Sequence, residues 1–145
     1  MHGCAERACH DGAVTSANLT REETAARSAA ITLHTIRVEL DVSDTADPAV
    51  SGFPVTTTLR FDATTDATWL DFIGESVERV TVNGEVRPVD YDGARIRLRG
   101  LAATNTVVVE ATGAYSRSGE GMHRFTDPAD GETYLYTQYE PADSR

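Results

Sequence analysis

The period of apolar and polar positions changes once, early in the chain, and that change divides it. Thr20 and Glu23 stand in capping-box spacing ahead of Arg21 to Ile31, a run rich in alanine and glutamate, which predicts a short helix. From Thr35 the period becomes two. Ile36, Val38, Leu40 and Val42 alternate with Thr35, Arg37, Glu39 and Asp41, the signature of a half-buried strand. After a loop over Asp44 to Ser51, Val55, Thr57, Leu59 and Phe61 alternate with Thr56, Thr58 and Arg60, predicting a second strand antiparallel to the first. Trp69 to Ile73 is a short apolar run that predicts a core strand in which the tryptophan packs. Val77, Val80 and Val82 lead into Asn83-Gly84, the strongest short hairpin signal, and Val86 and Val89 return, with Pro88 placing the return strand at an edge. Arg95, Arg97 and Arg99 alternate with Ile96 and Leu98, which predicts one apolar face and one solvated basic face. Thr106 to Ala111 adds an apolar strand, and Glu132 to Glu140 a last one that Pro141 stops. The sum is about eight short strands behind one short N-terminal helix: a mainly β chain, expected as an antiparallel β-sandwich or a curved, saddle-like open sheet.

Length and charge narrow the picture. At 145 residues there is room for one domain with a sizeable core. Lys plus Arg is 13 against Asp plus Glu 23, a formal net charge of −10, which argues against nucleic acid or an anionic membrane as partner. The sequence contains no apolar run of about 18 residues, and its N-terminus lacks the basic and apolar regions of a secretory leader, so a cytoplasmic location is expected. Residues 1 to 17 read as a flexible tail, and 18 to 145 as the domain. The tail carries His2, Cys4, Cys9 and His10, but C-x4-C followed at once by a histidine departs from zinc-site spacing, so no metal is expected there, and the two thiols are expected to be reduced.

The densest run of site-like polar residues is Ala114 to Arg145. Along its strand Tyr134, Tyr136, Gln138 and Glu140 fall on one face and Leu135, Thr137 and Tyr139 on the other. An amide and a carboxylate two residues apart at a strand end project toward the same space, which suits recognition of an ammonium group. Catalytic chemistry is harder to find. No H-E-x-x-H or Gly-x-Met-Glu-Asn stretch is present, His34 and His123 read as a strand-entry and a loop histidine, no G-x-S-x-G occurs, and Ser118-Gly119-Glu120-Gly121 lacks the lysine of a phosphate loop.

The run YSRSGEGMHRFTDPADGETYLYTQYEPADSR, and more weakly the chain back to about Asn18 in NLTREE, resembles the end of the N-terminal domain of zinc aminopeptidases of the aminopeptidase N family. The resemblance implies that Glu140, in the Q-x-E segment, accepts the free α-ammonium of a peptide substrate, and that Gln138 lines the pocket for the first side chain. It implies release of single N-terminal amino acids by the parent enzyme. Zinc in that parent would be held by residues absent from this chain, with the catalytic domain of the same polypeptide as its partner. The chain alone is expected to be inactive, to bind no cofactor, and to stop before the remaining strands of the domain, leaving apolar surface open to self-association. The rival expectation is a stand-alone β-sandwich interaction module whose terminal polar strand contacts a protein.

Overall fold

A computed structural model describes residues 19–140 of the chain; the Cys/His tail and the expected boundary at residue 18 lie outside them. The elements run α1 (Arg21–Ala30), β1 (Ile31–Leu40), β2 (Gly52–Ala63), β3 (Ala67–Asp71), β4 (Ser76–Val82), β5 (Glu85–Arg87), β6 (Arg95–Arg99), β7 (Thr104–Ala114), β8 (Gly121–Thr126) and β9 (Thr133–Gln138). They form a five-stranded antiparallel sheet in the order β1-β2-β7-β4-β5 and two two-stranded sheets, β3-β6 and β8-β9. The mainly β architecture of open antiparallel sheets with one short N-terminal helix is the expected one.

The helix begins where its cap predicts. The Thr20 hydroxyl accepts from the Glu23 N–H at 3.1 Å, and the Glu23 carboxylate accepts from the Thr20 N–H at 2.8 Å, so two of the otherwise orphaned donors of the first turn are satisfied. At Ile31 the backbone turns extended and β1 follows without a loop. The register of β1 on β2 jumps between Leu33↔Phe61 and Thr35↔Arg60, leaving His34 as the extra residue of a bulge. That extra residue absorbs a change of phase in the sequence. Ile31 and Leu33 lie before it, and Ile36, Val38 and Leu40 after it, yet all face the same side. His34 itself turns to Asp62, 2.9 Å away, and with a Thr104 hydroxyl this contact holds the Asp62 carboxyl below its ordinary pKa.

The core lies between the five-stranded sheet and the β3-β6 pair. Leu59 and Phe61 of β2, Val80 and Val82 of β4, and Val107, Val109 and Ala111 of β7 meet Ile96 and Leu98 of β6, with Leu70 and Phe72 at the margin. Period-two alternation supplies all of them, since each strand sends every second side chain inward. At the β4-β5 hairpin Asn83 (φ 53°) and Gly84 (φ 85°) both take positive φ, as a two-residue primed turn requires. Beneath it lies Asn105, 1% exposed. Its Oδ1 accepts from the Ala102 N–H (2.9 Å) and from the Asn83 amide (3.1 Å), while its own amide donates to the Ala102 carbonyl (2.7 Å).

Four local expectations need correction. The arginine row of β6 is not a uniformly solvated face: Arg95 is only 3% exposed, because α1 lies over it and Glu23 takes its guanidinium in two hydrogen bonds of 2.6 and 3.2 Å. Asp71 flanks it at 3.7 Å and also binds Arg27 of the helix at 2.7 Å. Trp69 is not between the sheets. It is half-buried on the outer face of β3, with the guanidinium carbons of Arg27 and Arg95 at 5.1 and 5.3 Å from its ring centroid. His123 belongs to strand β8 rather than to a loop, and the last strand ends at Gln138 rather than Glu140.

Candidate functional site

The site proposed from the sequence sits on the β8-β9 hairpin. The turn between its strands closes through the Asp127 N–H on the Glu132 carbonyl (2.9 Å) and the Gly131 N–H on the Asp127 carbonyl (2.8 Å), with Gly131 at φ 76°. Pairing then runs from Thr126↔Thr133 to Gly121↔Gln138. The hairpin is tied to the rest of the fold from its other face. Met122 is buried, and Arg124 donates to the Val50 carbonyl at 2.6 Å while its guanidinium lies 4.3 Å from the centroid of Tyr115. Tyr115 in turn packs on Phe53 at 5.1 Å. The Ser116 N–H donates to the Met122 carbonyl (2.7 Å), and the Arg124 N–H to the Ser116 carbonyl (3.1 Å).

Alternation leaves the opposite face of the hairpin to Phe125 and Tyr134, His123 and Tyr136, and Gly121 and Gln138. This is a row of half-exposed aromatic rings ending in an exposed amide. The His123 and Tyr136 rings stack at 4.7 Å and 31°. His123 Nδ1 accepts from the Gly119 N–H at 3.1 Å, which requires an unprotonated Nδ1 and leaves Nε2 as the protonated nitrogen of the neutral ring. Tyr134 donates its hydroxyl to Asp130 at 2.8 Å. The Glu132 N–H and that hydroxyl lower the pKa of Asp130, and the same bond raises that of Tyr134.

Gln138 closes the strand opposite Gly121, and Glu140 follows two residues later, past the last ladder pair. Both side chains are exposed. Tyr134, Tyr136 and Gln138 share the face expected for them, but strand alternation does not carry that face on to Glu140. Between them Tyr139 lines the end of an apolar groove of about 420 Å³ whose walls include Ile36, Val38, Leu40, Phe53 and Met122. What sequence reasoning missed is the support: β8 itself, the His123-Tyr136 stack, and the Arg124 anchor. The alternation of Met122 and Arg124 with His123 and Phe125 carried a weak signal for that strand.

Among the described residues no three imidazole, thiol or carboxylate side chains come together in a way that could hold a metal ion. His34 and His123 are committed to Asp62 and to the Gly119 N–H. These residues therefore do not fit a zinc centre.

No family model matches the chain. It is 36% identical over 133 residues to aminopeptidase N of Streptomyces lividans, a match covering 88% of this chain and 15% of that protein. Its fold is also found in Legionella pneumophila aminopeptidase A in complex with aspartic acid (TM-score 0.55, 8% identity, 70% of this chain and 13% of that one). A two-domain M1 zinc metallopeptidase mutant bound to L-arginine gives a TM-score of 0.55 at 16% identity over 75% of this chain and 27% of that one. The M1 zinc metallopeptidase from Deinococcus radiodurans gives 0.50 at 14% identity over 70% and 27%. The chain is related to the N-terminal domain of M1 aminopeptidases. The solved structures, all far below 25% identity, speak for the fold, and the sequence match connects that fold with aminopeptidase N; the chain spans about 15% of the length of that relative.

Proposed function

We propose that this chain is the substrate-recognition domain of a zinc-dependent aminopeptidase that removes single N-terminal amino acids from peptides in the cytoplasm. The sequence match to aminopeptidase N over 88% of the chain carries the reading. In it, Glu140 accepts the α-ammonium of the substrate and Gln138 lines the space for the first side chain, while zinc, its ligands and the general base belong to a catalytic domain of the same polypeptide. The exposure of both side chains at the open end of β9 supports this, because a group that must meet a substrate beside another domain has to be uncovered in its own. A carboxylate facing an ammonium makes charge-assisted hydrogen bonds that a substrate without a free amine cannot repay, which favours cleavage at the N-terminus over cleavage within a chain.

The test is to express the chain together with the catalytic region of Streptomyces lividans aminopeptidase N and to follow hydrolysis of an amino-acid anilide. Glu140→Ala is expected to lower kcat/KM by roughly 10- to 100-fold, the worth of a hydrogen bond to a charged group, with amine-blocked substrates uncleaved throughout. An assembled, active complex indifferent to Glu140→Ala would remove that residue from the site.

A further inference from the structure

The outer strand β1 carries features that nothing in the amine-recognition reading uses. It pairs with β2 on one side only among the described residues, so a ten-residue edge offers unpaired backbone donors and acceptors. Its core-side face is not covered: Ile36 is 55% exposed and Val38 53%, and with Leu40 they form one wall of the apolar groove. Its other face carries an opposite-charge pair, Arg37 and Glu39, 73% and 55% exposed and 2.9 Å apart. Strand edges are normally protected by bulges, prolines or inward-pointing charges. Here the bulge at His34 comes before the window, and Thr35 to Asp41 holds no proline.

We propose that this edge is a homotypic interface, in which β1 of one copy pairs antiparallel with β1 of a second copy about a two-fold axis at Val38. The charge pattern selects the register. Centred on Val38, the pairing sets Arg37 of each copy opposite Glu39 of the other, and Ile36 opposite Leu40. The two neighbouring in-phase registers are poorer: centring on Arg37 opposes two arginines, and centring on Glu39 opposes two glutamates and sets Arg37 against Asp41 only beyond the end of β1 at Leu40, leaving Val38 to Leu40 alone to pair within the strand. Registers in between would turn the apolar row of one copy to the polar face of the other. The selected arrangement joins the two five-stranded sheets into one through the five residues Ile36 to Leu40 of each copy, where β1 ends, satisfies the outward backbone groups of that stretch, and brings the exposed Ile36, Val38 and Leu40 rows side by side on a common face, where both grooves open.

Charge reversal tests the register without disturbing the fold, because both side chains are exposed. By sedimentation velocity, the wild-type chain is expected to shift from monomer to dimer with concentration. Arg37→Glu alone and Glu39→Arg alone each place like charges at both cross-strand pairs and are expected to weaken association by roughly 30-fold. An equimolar mixture of the two variants restores both opposite-charge pairs as a heterodimer and is expected to regain wild-type association, as is the double exchange in one chain. A wild-type chain that stays monomeric at every concentration overturns the proposal. So does a dimer that survives both single reversals, or one that the mixture does not restore.

Discussion

Leu98 and Leu33 are the same residue type in opposite circumstances, 1% and 49% exposed, and truncating each to alanine tests where the core lies. Leu98 points from β6 into the cluster formed with β2, β4 and β7. Removing its outer carbons forfeits about 2.4 kcal/mol of transfer free energy at roughly 0.8 kcal/mol per buried methylene. A residual cavity between two sheets that cannot fully close adds about 1 kcal/mol, for a total of about 3 kcal/mol. Leu33, on an outer strand with half its surface wet, loses only about half the transfer term and opens no enclosed space, so about 1 kcal/mol is expected. With an unfolding entropy near 2.1 cal/mol/K per residue, a chain of 145 residues loses roughly 10 °C in Tm for Leu98→Ala and roughly 3 °C for Leu33→Ala. Urea unfolding of dilute protein, followed by far-ultraviolet circular dichroism, should show these shifts at unchanged slope. Equal costs for the two variants, or a Leu98→Ala loss below about 1 kcal/mol, would refute the placement of the core on the β6 side of the sheet.

Two further perturbations address polar contacts. The hydrogen bond from Arg95, the Thr20 N–H and the Thr20 hydroxyl hold the Glu23 carboxyl at about 2, against an ordinary 4.5. A depressed carboxylate stabilises the fold fully above its unfolded pKa and loses that contribution as pH falls through the folded one. The advantage of the native chain over Glu23→Gln in urea midpoint should therefore be greatest at neutral pH and vanish as pH falls from about 4.5 to about 2; an advantage constant across that window would exclude the Arg95 bond as its source. Asn105→Leu preserves size but strands the Ala102 N–H and carbonyl, and should cost roughly 2–4 kcal/mol in a thermal melt.

The period-two runs of β1 and β2, the apolar run of β7, the Asn83-Gly84 turn and the Thr20 cap were legible in the sequence because each depends on neighbours within a few residues. Arg95 was not. It shares its spacing with Arg97 and Arg99, and what buries it is Glu23, 72 residues earlier in the chain. Alternation in β1 identified an apolar face correctly but could not say whether anything covers it, since amphipathicity describes one strand and burial needs two. Strand β8 escaped because Gly121 to Thr126 mixes a glycine, a histidine and an arginine among its apolar positions. The pair Gln138 and Glu140 was singled out for its chemistry, which the sequence displays directly; the strand end at Gln138, which falls between them, is set by the ladder to β8.

The seating of α1 over β6 gives the molecule an optical reporter of its own. Trp69 is the one tryptophan of the chain, and both guanidiniums above it depend on the helix, Arg27 by belonging to it and Arg95 through Glu23. Its fluorescence therefore responds to the lifting of one turn-capped segment as well as to the melting of β3, the strand that carries it. Emission and circular dichroism followed in the same titration separate the two events: coincident curves mean that helix and sheets come apart as a unit, and an early change in emission means that the helix leaves first.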